Sequence, residues 1–297
     1  MANSKFAYVK QFEEEKRILL NCYFIVRIDG SDFKKFTKTH VYTKPNDIRG
    51  LNLMNSCAKK VMNKFDEIDL AYGHSDEYSF LFRKKAKIWN RRYDKILTNV
   101  VSYFTSSFIY QWKFFFSEQE LVYPPCFDAR IIIFPTEKET KDYFSWRQVD
   151  CHINTQYNEC FWNLIQKANY SKDEAYKFLL TTQKKEKNEL LFSRFGINYN
   201  DLPEIFRRGS IIIRNSAANT TRAEVNTDIA IDCVEKQKQG RGDEDLKAPI
   251  VEEKRDDAFT MYTPTKQTKE SMTKLILSHE NLVCDRFWNK YGFVFDK

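Results

Sequence analysis

The order in which short apolar runs alternate with amphipathic segments limits the folds open to this chain more than any other feature. Cys22-Tyr23-Phe24-Ile25-Val26-Arg27-Ile28 is short, apolar and β-branched, the profile of a buried strand, and it stops at the turn signal Asp29-Gly30. A short helix-like segment runs from Asp32 to Thr39. The turn Lys44-Pro45-Asn46-Asp47 then leads into a helix over Ile48 to Phe65, where Leu51, Met54, Ala58, Val61, Met62 and Phe65 recur at helical spacing. Two aromatic strands, Asp69 to Tyr72 and Tyr78 to Phe82, flank the polar turn Gly73-His74-Ser75-Asp76-Glu77. Trp89 to Phe116 reads as a long aromatic helix, and Ala129 to Phe134 as another buried strand closed by Pro135. Strand, two helices, hairpin, helix, strand is not the strict alternation of a doubly wound sheet. It predicts an α+β fold, an antiparallel sheet covered on one face by helices.

The remaining segments are simpler. Ser4 to Leu20 is expected to be helical with Ser4 as N-cap, Glu137 to about Phe192 mostly helical, Ser210 to Arg214 a strand, and Leu275 to Tyr291 a terminal helix. Residues 217–257 lose periodicity and carry net negative charge, which marks a flexible acidic insertion. The expected organisation is a catalytic domain over 1–135 and, over 136–297, a mostly helical C-terminal region of the same catalytic unit.

Glycine usage narrows the chemistry. Only 8 of 297 residues are Gly, and the one Gly-x-Gly, Gly240-Arg241-Gly242, lies in the acidic insertion. No dinucleotide-binding fingerprint or phosphate-cradling loop is present. A chain that handles phosphates without a glycine cradle must use carboxylates with metal, or fixed cations. The net charge of +7 suits a polyanionic partner, because the excess lies in the first 216 residues. No apolar run reaches the roughly 18 residues a membrane helix needs. The seven Cys, odd in number and with no Cys-x-x-Cys, read as reduced thiols, and the N-terminus has no apolar leader core. The expected location is the cytoplasm, with the nucleus as a second compartment.

Two acidic spots carry the candidate chemistry. Asp29 ends the first strand, and Asp76-Glu77 occupies the hairpin turn. In an antiparallel sheet a strand end and a neighbouring turn lie side by side, so these carboxylates can share divalent ions. Magnesium takes oxygen ligands, few of them from protein. Two carboxylates holding two ions about 4 Å apart make a phosphoryl-transfer site. Gly30, without a side chain, would let backbone approach a metal or a triphosphate. Among the cations, Arg27 and Arg130 adjoin buried strands, where a charge needs a partner. Lys84, Lys85, Lys87, Arg91, Arg92 and Lys95 cluster at a helix start, where the helix dipole disfavours them unless an anion binds or they are simply exposed. His152, Gln156 and Glu159 share one helix face. With four His in the chain and no Cys pair, zinc is not expected.

Several longer strings resemble the tRNA-histidine guanylyltransferase family. They are Arg27-Ile28-Asp29-Gly30, Lys44-Pro45-Asn46-Asp47, Tyr72-Gly73-His74-Ser75-Asp76-Glu77-Tyr78-Ser79-Phe80, Phe127-Asp128-Ala129-Arg130, Asp142-Tyr143-Phe144-Ser145-Trp146-Arg147-Gln148, His152-Ile153-Asn154-Thr155-Gln156-Tyr157-Asn158 and Lys187-Asn188-Glu189-Leu190-Leu191-Phe192. The likeness runs to about Ile213 and resumes at Asp285-Arg286-Phe287-Trp288. It implies a palm-like core that adds guanosine to the 5′ end of tRNA-His, with ATP activating the 5′-phosphate, the GTP 3′-hydroxyl attacking, and pyrophosphate then removed. It implies that Asp29, the Gly30 carbonyl and Asp76 hold two Mg²⁺, with Glu77 in support. Asp29, Gly30, Ser31, Asp32, Phe33, Lys34, Ser75 and Asp76 would contact the nucleotide triphosphate, and Lys44 and Asp47 would serve the activation step. His152, Lys187 and Asn198 match positions that handle tRNA, and Arg27, Arg92, Lys95 and Arg130 join them as cations for RNA. Members are typically tetrameric.

The sequence departs from the pattern in two places. Lys34 stands where eukaryotic members often carry His, and Thr155-Gln156 replaces Asn-Leu in the His-Ile-Asn-Asn-Leu-Tyr-Asn string. Two other readings are a template-dependent polymerase that repairs truncated tRNA 5′ ends and a tRNA-binding protein without catalysis.

Overall fold

Strand β1 (Tyr23–Ser31) occupies an inner position because its residues are apolar toward both faces. In the computed structural model, which describes residues 4–215 and 274–295, its first six residues are buried except Arg27. The hairpin strands β2 (Ile68–His74) and β3 (Glu77–Phe82) are buried along their whole length. With β4 (Cys126–Phe134), β5 (Ser210–Asn215) and β6 (Lys274–Ser278) they form one six-stranded sheet in the order β4-β1-β3-β2-β5-β6. The pairings of β1 with β3 and β4, and of β2 with β3 and β5, are antiparallel. Apart from Asn215 and Lys274, the described residues, 4–214 and 275–295, belong to one unit.

Successive residues of a strand point to opposite faces, so each face has its own core. Phe24, Val26 and Ile28 of β1 join Ala71, Phe80 and Phe82 on one face. Three helices cover it: α1 (Phe33–Thr39), α2 (Ile48–Lys64) and α3 (Tyr93–Phe115). Helix α2 starts where the Asp47 carboxylate accepts the Arg49 amide at 3.0 Å, and it buries Leu53, Met54, Cys57, Ala58, Val61 and Met62. Helix α3 buries Ile96, Val100, Phe104, Phe108 and Trp112, one residue every four. Each fully buried Phe here contributes about 1.5–3 kcal/mol of transfer free energy.

The opposite face is covered as well. Tyr23, Ile25, Leu70, Tyr72 and Leu81 pack under Tyr143 and Phe144 of α4 (Glu137–Gln166) and under Phe287 and Trp288 of α8 (Asp285–Tyr291). The sheet is therefore clothed on both sides, not on one. Strands apolar at odd and even positions alike leave neither face for water. Helices α5 (Lys172–Leu180) and α6 (Lys184–Phe195) extend the helical half by packing Ala175, Leu179 and Leu191 against Cys160 and Leu164 of α4. Helix α7 (Glu204–Arg208) leads into β5.

Three segments differ from expectation. Ser4 to Leu20 is not one helix: a single 3₁₀ turn spans Ala7–Phe12, and Arg17 forms an isolated bridge with Arg92. Phe6, Tyr8, Val9 and Phe12 are all exposed, so no buried face exists to hold a longer helix. Leu275 to Tyr291 divides into β6 and α8, because pairing at the sheet edge claims its first half. Helix α3 begins at Tyr93, after a turn over Trp89, Asn90 and Arg91 with φ of 44°, 53° and 58°. The expected insertion at 217–257 lies outside the described residues.

Arg91 explains that turn and corrects its reading as one of a surface cluster of cations. Its guanidinium is buried and donates to the carbonyls of Ile18, Leu19, Lys84, Ala86 and Cys22 at 2.8–3.3 Å, with its charged plane 4.9 Å from the Phe24 ring centroid. Burial pulls its pKa down, with Cys22 and Glu67 opposing. Five carbonyls from two segments converge on one side chain, which ties the chain before β1 to the loop before α3.

Candidate active site

The site is built at the C-terminal end of β1, beside the β2–β3 turn. His74 pairs with Glu77 across that turn, so the loop is only Ser75-Asp76. Ser75 takes a left-handed φ of 52°, at a cost of about 1 kcal/mol. Its hydroxyl donates to Asp76 Oδ1 at 2.8 Å and fixes that side chain. The Gly30 amide donates to the Asp76 carbonyl at 3.1 Å, which fastens the strand end to the turn. One backbone bond thus joins the two segments that carry Asp29 and Asp76. Asp29, Gly30 and Ser31 lie inside β1, at its last three positions, not beyond it. The glycine is demanded by packing: a Cβ on Gly30 would lie 2.5 Å from the Phe33 ring.

Register sets the electrostatics. Asp128, Asp29, Glu77 and His74 stand opposite one another on β4, β1, β3 and β2, and so form one row on the face that α4 covers. The next row holds Arg130, Arg27 and Ser79. Arg27 lies 3.5 Å from Asp29, and Arg130 3.1 Å from Asp128. These pairs do not neutralise the row. Burial, together with the charges of Asp76, Glu77 and Asp128, pushes the Asp29 carboxyl up to about 6 against the pull of Arg27. Burial likewise raises Asp76, with the Ser75 hydrogen bond opposing. Glu77 goes the other way. Burial alone would raise it, but His74 3.0 Å from Oε1 and Arg147 of α4 2.9 Å from Oε2 outweigh that and hold it below the usual range.

Two neighbouring carboxyls are thus short of positive charge, and a third has it in full. That donor set, two carboxylates with backbone oxygen close by, fits a hard cation that keeps most of its water. Among the described residues no three His, Cys, Asp or Glu side chains are placed to ligate one ion together, so a closed structural metal cage is not built here.

A cavity of about 790 Å³ opens beside the turn and brings together Phe33, Lys34, Lys44, Asp47, Ser75 and Asp76. Its far wall comes from α4 and α5, including Asn158, Trp162 and Tyr176. Lys44 donates to the Thr37 hydroxyl at 3.3 Å, and burial draws its ammonium pKa down, against Asp47 and with Lys34. Asp47 is fully engaged: burial is outweighed by bonds from Arg49 and the Thr43 amide, and its carboxyl sits below the ordinary value. Asp32 takes a left-handed φ of 51° just before α1, and Ser31 and Asp32 are exposed.

The expected RNA-contacting residues separate into four groups. Arg27 and Arg130 border a groove with Trp146 and Tyr143 beside the carboxylate row. His152 and Asn198 are joined through Tyr199, whose hydroxyl lies 2.9 Å from His152 Nδ1, while Asn198 Oδ1 accepts the Asn200 amide. Lys187 on α6 donates to the Thr182 carbonyl. Arg92 and Lys95 lie near the opposite end of β1 from Asp29, roughly 20 Å along the strand at 3.3 Å per residue. Arg92 is 3.6 Å from Glu15, and Lys95 lies over the Trp89 ring. Residue reading missed Arg147, His74 and Asp150 as parts of the site. The available signal was Arg147 itself, a charge at a position where α4's spacing demands burial, beside Tyr143, Phe144 and Cys151.

The tRNAHis guanylyltransferase family model matches residues 6–135, and the C-terminal domain model of the same family matches residues 138–283. A probable tRNA(His) guanylyltransferase of Dictyostelium discoideum is 42% identical over 291 residues, 98% of this chain and 97% of that one. This chain belongs to the tRNAHis guanylyltransferase family. Within it, the Schizosaccharomyces pombe tRNA(His) guanylyltransferase is 50% identical over 72% of this chain and 82% of its own. The crystal structure of the Saccharomyces cerevisiae family member superposes with a TM-score of 0.68 at 46% identity, over 70% of this chain and 93% of that one. A bacterial member of the guanylyltransferase-like group, solved in complex with ATP, gives 0.60 at 27% identity over 71% of this chain and 88% of its own. Members carry the names of nucleotidyltransferases, and the fold of this chain, a six-stranded sheet with helices, matches that of the solved yeast member.

Proposed function

We propose that this enzyme adds one guanosine to the 5′ end of tRNA-His, using ATP and GTP and two Mg²⁺ held by Asp29, the Gly30 carbonyl and Asp76. The observation that carries the reading is the bond from the Gly30 amide to the Asp76 carbonyl. It fixes two cation-short carboxylates beside each other, and one of them, Asp76, lines a cavity large enough for a nucleotide. The relatives' names and the ATP complex of the bacterial protein support it. When bound, magnesium supplies a more acidic attacking hydroxyl and neutralises phosphate charge.

The chain's own groups divide the remaining work. Lys34 and Lys44 present ammonium groups to a triphosphate in the cavity, with Asp47 holding the loop that carries Lys44. Arg27 and Arg130 face the RNA 5′ end across the groove beside Asp29. In the activation step the 5′-monophosphate oxygen attacks the α-phosphorus of ATP and pyrophosphate leaves. In the transfer step the GTP 3′-hydroxyl attacks the adenylylated phosphate and AMP leaves. Loss of pyrophosphate from the new end completes the reaction. His152, Lys187 and Asn198 contact tRNA, the catalytic domain covers 1–135, and the working assembly is a homotetramer in the same proposal.

Incubation with labelled GTP, ATP, Mg²⁺ and a tRNA panel tests the function. Extension of intact tRNA-His is the expected result, and extension confined to 5′-truncated tRNAs would replace it with the repair reading. RNA affinity should also fall steeply with salt, because each Lys or Arg contact to phosphate releases counterions. A filter-binding series from 50 to 200 mM salt, roughly the range over which such complexes lose most of their affinity, checks this; a flat response contradicts it.

A further inference from the structure

Three carboxylates meet at the site, yet the structure does not treat them alike. Asp29 and Asp76 stand partly buried, and Asp76 lines the cavity, while Glu77 is buried between Arg147 and His74. Oε2 accepts from Arg147 Nη1 at 2.9 Å, and Oε1 faces His74 Nε2 at 3.0 Å. Arg147 is itself gripped. Asp150, one helical turn further on α4, lies 3.5 Å from its other terminal nitrogen, and the Trp146 ring centroid lies 3.7 Å from the guanidinium carbon. One turn earlier, the Tyr143 and Ser79 hydroxyls bond at 2.8 Å, so α4 is pinned to β3 at two successive positions of the same face.

Resting on the proposed metal-dependent reaction, we infer that Arg147 is a positioning residue that withholds Glu77 from the cation site, so that Glu77 acts as a fixed anion beside the metal and not as a ligand to it. Opposed residues of paired strands have Cβ atoms about 5 Å apart, so an unrestrained Glu77 could reach the cation held by Asp29. A third carboxylate ligand would displace water and over-bind the ion. The fork of Arg147 prevents this because it presents donors in one plane, with that plane fixed by Trp146 and Asp150.

The test combines Mn²⁺ binding, followed by electron paramagnetic resonance, with single-turnover guanosine addition. It uses the full chain as wild type, Arg147→Met, Arg147→Lys, Glu77→Gln and Arg147→Met/Glu77→Gln, with thermal melts confirming that each is folded. Arg147→Met is expected to bind Mn²⁺ several-fold more tightly and to add guanosine at least tenfold more slowly. Adding Glu77→Gln should return Mn²⁺ affinity to that of Glu77→Gln alone, with no further loss of rate. Arg147→Lys, which keeps charge without the fork, should fall between wild type and Arg147→Met. Unchanged or weaker Mn²⁺ binding in Arg147→Met, or rate losses that multiply in the double variant, overturns the inference. Should Arg147→Met fail to fold, Arg147→Lys carries the same comparison against Glu77→Gln. A wild type that neither binds Mn²⁺ nor extends tRNA would sink the functional reading itself, and the inference with it.

Discussion

Asp76→Ala is expected to cut guanosine addition on the order of 10³-fold or more, the scale of losing a group that stabilises developing charge. Its thermal midpoint at pH 7.5 should stay the same or rise. Asp29→Asn should behave alike. The stability half follows from the raised carboxyls. The folded pKa of Asp29 lies near 6 against 3.8 in the unfolded chain, so the folded state holds the proton more tightly. The stabilisation is full below about pH 3.8 and is lost as pH climbs through 6. At neutral pH the ionised Asp29 works against the fold, by about 1–2 kcal/mol once its partial exposure is discounted. A divalent ion reverses the sign by binding only the folded state. Melting curves with and without Mg²⁺ therefore separate the variants from wild type: Mg²⁺ should raise the wild-type midpoint and leave Asp29→Asn unmoved. Full activity in either variant would end the carboxylate account.

Arg91→Met should be the most damaging change away from the site, costing on the order of 3–5 kcal/mol, because it strands buried carbonyls that one guanidinium had satisfied. It should also release the left-handed turn at Trp89, Asn90 and Arg91, whose strain is held only by its surroundings. Denaturant titration gives the loss directly. A midpoint within error of wild type would mean that the five bonds carry no net weight. Arg91→Lys is not a rescue, since one ammonium has three donors and cannot reach five acceptors.

The parts of the molecule visible in the sequence were those where local pattern and tertiary role agree. Apolar runs bounded by Asp29-Gly30 and by Ser75-Asp76 became β1 and the β2–β3 hairpin, and the acidic residues at their ends came together. Other parts were decided by contacts that no local window contains. Leu275 to Ser278 reads like the start of a helix until β5 offers it an edge to pair with. Arg91 sits among lysines and arginines that do face solvent, and only burial distinguishes it. Arg147 sits within a family-like string, but its role is invisible locally because its partner Glu77 lies 70 residues away in the chain. The second covered face was legible in principle, since the strands carry apolar residues at odd and even positions alike, but nothing local says which helices will do the covering.

Helix α4 has a further consequence. Its 30 residues rise about 45 Å without a break, from the end of β4 past Glu77 to the helices that follow. Arg147 grips Glu77 near its middle, and nine residues on, about 14 Å along the axis, the Gln156 amide donates to Asn188 Oδ1 on α6. The helix is therefore a ruler. The interval between those two anchor points is set by helical rise and by no loop. A single inserted residue between them would turn the far anchor by about 100°, a gear slipped by one tooth. The length of this segment is thus as much a functional quantity as any side chain on it.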